Sequence, residues 1–184
     1  SRAQFRCQAL LIALSIAHRL LAAELGDSER PSVKRGRHMC NFDAQRIEKL
    51  LSALSAWSGG EPRIKGLALV GSWEAIDREH AEADADIVLI VDDPDGFRAE
   101  SKWMTEIDWA AAGLGTGRWS ECDYGRSCSR HLKFEDGAEV EVSFVPPAWA
   151  SVDPIDPITR RVAGNGMRVV HDPAGLLGRL VAVL

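Results

Sequence analysis

The order of apolar and polar segments predicts an α/β protein, with a small mixed β-sheet flanked by helices. Two observations point to the sheet's interior. The runs IKGLALVG (64–71) and DADIVLIV (84–91) are short, apolar and bounded by turn residues, as buried strands are. A third observation adds antiparallel strands. AEVEVSFV (138–145) alternates strictly and follows the hairpin signal Glu135-Asp136-Gly137. Helical periodicity before and after these strands supplies the covering layers.

The first helix is predicted from residue 41 onward. Ile47, Leu50, Leu51, Leu54 and Trp57 recur at helical spacing, with Asn41 or Asp43 as N-cap and Ser58-Gly59-Gly60 as the stop. A strand ending at Gly71 comes next. SWEAIDREHAEA (72–83) then reads as a short helix that begins at the Gly71-Ser72 turn. The second strand ends in DDPDG (92–96), a strong turn. Phe97, Met104, Ile107, Ala111 and Leu114 predict one face of a single helix, which GLGTG (113–117) breaks. That glycine-rich stretch follows a helix and precedes a strand, the reverse of the dinucleotide-binding context, so it reads as a loop. RWSECDYG and SRHLKFED have strand length and mixed polar–aromatic character. On the alternating strand, Glu139, Glu141 and Ser143 share one face, and Val140, Val142 and Phe144 share the other. Pro146-Pro147 stops it, SVDPIDPITRR (151–161) reads as a loop, MRVVHDP as a last strand, and AGLLGRLVAVL as a helix with Leu176, Leu177, Leu180 and Leu184 on one side.

With 184 residues the chain can bury one sizeable core. A net charge of −5 does not point to nucleic acid as partner. The four cysteines, Cys7, Cys40, Cys122 and Cys128, form no C-x-x-C pair and are too sparse for a disulfide framework. They read as reduced thiols, which implies a cytoplasmic setting. The apolar stretch at 8–23 is interrupted by His18 and Arg19 and is too short to span a membrane. A polar, basic, proline-containing segment follows at 26–38. Residues 1–38 are therefore expected to be an extension and linker outside the core fold, and 39–184 to be the domain.

Chemistry is predicted where three features meet. Gly71-Ser72 joins a strand to a helix, where a glycine permits close backbone approach and a helix start offers free N–H groups to a phosphate. Asp84 and Asp86 are two positions apart at the entry to the next strand, so both carboxylates point to the same face. Two like charges there call for a cation, and hard divalent ions take oxygen ligands. A third carboxylate comes from Glu139 or Glu141 on the alternating strand.

This arrangement resembles the nucleotidyltransferase family, the polymerase-β-like superfamily that includes the aminoglycoside and minimal nucleotidyltransferases. The resemblance rests on a hydrophobic strand, Gly71-Ser72, a spacer of eleven residues, Asp84-Ala85-Asp86, and Val140-Glu141-Val142 on a later strand. It covers residues 40–184 and implies the polymerase-β-like fold. It further implies transfer of a nucleoside monophosphate from an NTP, ATP first, to a hydroxyl of a small molecule or a protein, with pyrophosphate released. Asp84, Asp86 and Glu141 would be the metal ligands of a two-metal Mg2+ site and the catalytic residues, and Gly71 and Ser72 would hold phosphates. No membrane and no nucleic acid are implied as partners. Lys102, Arg126 and Arg130 are the candidates to steady the triphosphate. His80 and His131 could serve as ligand or base, and Trp73 and Trp119 could stack on a base or acceptor. Relatives often continue the turn with a small residue, Arg and Gly, and put Ser before the first Asp. Here Glu74, Ala75 and Ile76 follow, and Ala83 precedes Asp84. Those departures keep open a second expectation, a catalytically degenerate module of this fold that acts through protein contacts.

Overall fold

A computed structural model describes residues 42–71, 84–123 and 128–184. Expectations for residues 1–38, for Ser72, for the helix at 72–83 with Trp73 and His80, and for Arg126 lie outside the described residues. Helix α1 spans Ala44–Gly60, and Asp43 is its N-cap, accepting a hydrogen bond from the Arg46 N–H. Strands follow at Ile64–Val70 (β1) and Ala85–Val91 (β2), then short helices at Pro94–Glu100 (α2) and Trp103–Glu106 (α3). Strands β3 (Gly117–Asp123), β4 (Cys128–Phe134) and β5 (Glu139–Val145) lead into a 3-10 turn at Pro147–Ala150. Helix α4 (Pro157–Gly164), strand β6 (Met167–His171) and helix α5 (Leu176–Val181) complete the order.

The six strands form one sheet in the order β3-β4-β5-β2-β1-β6. Only β2 and β5 pair in parallel; every other neighbour is antiparallel. The architecture is thus the mixed α/β sheet with flanking helices that the sequence predicts. Alternation along the strands gives the sheet two different faces. On the first, Leu67, Leu69, Ile87, Leu89, Val140, Val142 and Phe144 meet Ile47, Leu50 and Leu54 of α1, Phe97 of α2 and Trp103 of α3. Trp103 and Phe144 pack edge to face with centroids 5.4 Å apart. On the second, Ala68, Val70, Val88, Ile90 and Val145 lie under Trp149, Val162, Leu177 and Leu180. Gly66 lets α5 approach β1, because a Cβ there would stand 3.0 Å from Leu177 Cδ1.

Three expectations are corrected. The single helix over 97–114 is two short helices, broken at Ser101, which adopts a left-handed φ of 55°. Phe97, Met104, Ile107 and Leu114 are still buried, but by separate turns, and Ala112 rather than Ala111 faces the core. The loop at 151–161 contains the start of α4: Asp156 caps it by accepting from the N–H groups of Ile158 and Thr159, and Pro157 occupies the first helical turn. The last helix stops at Val181, so Leu177 and Leu180 are buried while Leu184 is exposed.

Candidate functional site

The second face of the sheet changes character toward the starts of β2 and β5. Val88 and Ile90 give way to Asp86 and, just before the strand, Asp84. Val145 gives way to Ser143 and Glu141. The parallel register sets Asp86 directly beside Glu141. Neighbouring strands lie about 4.8 Å apart, so two carboxylates on one face at paired positions are near neighbours. On the other side Asp86 is the register partner of Val70, whose successor is Gly71. A Cβ on Gly71 would stand 3.6 Å from Asp86 Oδ2, and the Gly71 φ of +96° is one that favours glycine.

Glu141 is 3% exposed and Asp86 and Asp84 are partly buried. Burying carboxylates of like charge side by side is unfavourable unless opposite charge or hydrogen bonds compensate. Polar side chains of β4 lie alongside. His131 is the register partner of Glu141 and its Nε2 lies 3.5 Å from Glu141 Oε2. Flanking pairs on the same two strands are also polar: Ser129 Oγ and Ser143 Oγ are 3.0 Å apart, and Lys133 Nζ donates to Glu139 Oε1 at 2.6 Å.

The Lys133 bond separates the two candidates for third carboxylate. Glu139 is occupied by a lysine at the sheet's rim, whereas Glu141 is buried next to Asp86. The Gly71 N–H donates to the Gly166 carbonyl at 3.0 Å, because β6 extends the sheet alongside it. That N–H is therefore engaged, and a side chain at Gly71 would meet Asp86 Oδ2.

Of the cations suggested for a triphosphate, Arg130 and Lys102 are elsewhere. Arg130 points to the first face: its Nη1 donates to Ser101 Oγ at 2.7 Å, and its guanidinium lies 4.4 Å from the centroid of the Trp119 ring. One residue separates it from His131, and one residue in a strand reverses the face. Trp119, half exposed, is on Arg130's side and not beside the carboxylates. Lys102 precedes α3 over that same first face, bonded to Glu106 at 2.7 Å, and this bond raises its pKa.

Sequence reasoning missed the His131–Glu141 pair, although a signal existed. Once Glu135-Asp136-Gly137 is read as the hairpin turn, Lys133 faces Glu139, His131 faces Glu141 and Ser129 faces Ser143.

The donor chemistry fits a hard divalent cation, since carboxylate oxygens are its preferred ligands and Mg2+ typically takes one or two of them with water and phosphate completing the shell. Among the described residues no three or more His, Cys, Asp or Glu side chains are gathered closely enough to hold a metal by themselves. Nor is any helix among them long and apolar enough to cross a membrane.

The sequence matches no protein-family model and none of the curated proteins. Among solved structures, an aminoglycoside 6-adenyltransferase from Bacillus subtilis is similar over 59% of this chain, at 16% identity and a TM-score of 0.38. The match spans 37% of that chain's length.

Proposed function

We propose that this protein is a metal-dependent nucleotidyltransferase of the polymerase-β-like kind, acting at the polar half of the sheet's second face. The observation that carries the reading is the parallel pairing of β2 with β5, which sets Asp86 beside Glu141 and leaves Gly71 as the neighbour of Asp86. The sequence order, a glycine turn, then Asp-x-Asp, then a later carboxylate, is the order this chemistry uses.

In the proposed reaction an acceptor hydroxyl attacks the α-phosphorus of an NTP. The new O–P bond forms as the bond to the β-phosphate's bridging oxygen breaks, and pyrophosphate leaves with the electron pair. Asp84, Asp86 and Glu141 would offer oxygens to Mg2+ only together with water and the phosphates, and its charge when bound would offset theirs. Glu141 would also take the acceptor's proton, as a carboxylate on the face where the hydroxyl would lie. Ser72 and the residues after it would offer hydrogen-bond donors to the distal phosphates. ATP is the first nucleotide to try, and the acceptor is a hydroxyl of a small molecule or of a protein in the cytoplasm.

Calorimetric titration of the full chain with a non-hydrolysable ATP analogue, with and without Mg2+, tests the proposal. Binding that requires Mg2+ and disappears in the double variant Asp84→Ala/Asp86→Ala is the expected result. Absence of binding for all four nucleotides would favour a second reading, a degenerate module acting by protein contacts. The sequence favours that alternative in that Glu74, Ala75 and Ile76 follow where relatives often carry a small residue, Arg and Gly.

A further inference from the structure

The second face carries a residue for which the reading above has no role. His131 is 6% exposed, on a strand next to Glu141 rather than on the strands that bear the other carboxylates. Its position is held from both sides. The Ser129–Ser143 hydroxyl contact and the Lys133–Glu139 ion pair bracket it along β4 and β5 and oppose any slip of register. The imidazole therefore stays opposite the Glu141 carboxylate. At 3.5 Å the contact is longer than an ordinary hydrogen bond. Contacts in functional sites often have this looseness before the ligand arrives and tighten with it.

We infer that His131 is a positioning residue, whose Nε2–H holds one oxygen of Glu141 and leaves the other for the cation. This rests on the proposed metal-dependent reading of the same site. A carboxylate ligand that is itself hydrogen-bonded loses less freedom when it binds metal, and such partners typically alter metal affinity 10–100-fold. The contact needs only the neutral imidazole with its proton on Nε2.

Mn2+ affinity of the full chain, read by electron paramagnetic resonance, tests this without any turnover. His131→Leu should bind Mn2+ about 10-fold more weakly or worse. His131→Gln, whose amide N–H can reach where Nε2 stands, should stay within about 3-fold of the parent. His131→Asn mimics Nδ1 instead and should behave like leucine; it also serves if the leucine variant does not fold. Two equal affinities, leucine variant and parent, would overturn the inference while Mn2+ loss in Glu141→Gln kept the site reading intact. A glutamine variant as weak as the leucine one would overturn it as well. Failure of the parent to bind Mn2+, alone or with the nucleotide analogue, removes the site reading and this inference together.

Discussion

The two faces of the sheet are built from alternate residues of the same strands, yet they are put to different uses. Along β5, Val140, Val142 and Phe144 enter a continuous apolar layer, with Trp57, Phe97 and Trp103 around Phe144 and its neighbours. Between them, Glu141 and Ser143 enter the second face, which is apolar only from Val145, Val88 and Val70 onward under α4 and α5. The first face carries the larger apolar cluster. The second is apolar over half its length, and the other half carries Asp84, Asp86, Glu141 and His131. A residue's place in the alternation therefore says which kind of damage its replacement does.

The sharpest break of that symmetry is expected at Asp86. Asp86→Ala should lower nucleotidyl transfer about 100-fold or more, since several kcal/mol of charge stabilisation would rest on it. Its melting temperature without metal should be unchanged or higher, because a like charge beside Glu141 is removed. A radiolabelled transfer assay paired with thermal unfolding reads both, and transfer equal to the parent's would refute the role. Phe144→Ala should do the reverse. It empties the centre of the aromatic cluster and should cost about 3–5 kcal/mol in denaturant unfolding, with Mn2+ affinity of the folded fraction little changed.

How much of this was legible in the sequence follows from the same alternation. Strand runs and the β4–β5 hairpin were readable because apolar period and turn residues are local signals. Spacing points to Asp84 and Asp86, alternation to Glu139 or Glu141, and the family resemblance to Glu141 of the two; the hairpin register adds His131. The pairing of Asp86 with Glu141 was not readable. Forty-odd residues of intervening chain leave the register of β2 on β5 to be fixed by tertiary packing, not by any turn. The face of Arg130 is not legible for a related reason: it depends on strand register, and it belongs to Ser101 and Trp119. The break at Ser101 was hidden because the apolar spacing there suits a continuous helix and two short ones equally well.

A smaller effect belongs at the border of the polar half. Gly71→Ala would force a side chain into a left-handed backbone and bring its Cβ into contact with Asp86 Oδ2. The backbone term alone suggests a loss of about 1–2 kcal/mol. Weaker Mn2+ binding should accompany it, whereas Asp43→Ala, which removes the α1 cap on the first face, should cost about 1 kcal/mol and leave Mn2+ affinity alone. Equal Mn2+ affinities in the two variants would detach Gly71 from the site.

The smallest expected effect is electrostatic and lies at the edge of the stable face, where Arg46 of α1 reaches the hairpin turn. Its guanidinium pairs with Asp136 and donates to the Gly113 carbonyl at 2.9 Å. Burial acts to raise the Asp136 pKa, but the Ala138 N–H and Arg46 outweigh it, and the net shift is downward. A depressed carboxylate pKa means the unfolded chain takes up the proton first. The stabilisation is therefore complete above the ordinary aspartate value of about 3.9 and is lost as pH falls through the lower folded value. Since Asp136 is partly solvated, the gain should stay under about 1 kcal/mol. The parent should unfold at a slightly higher temperature than Asp136→Asn near pH 7, and the two should converge as the pH drops below about 3. A gap that is constant from pH 7 to pH 3 would mean that Asp136 acts through the shape of the turn and not through its charge.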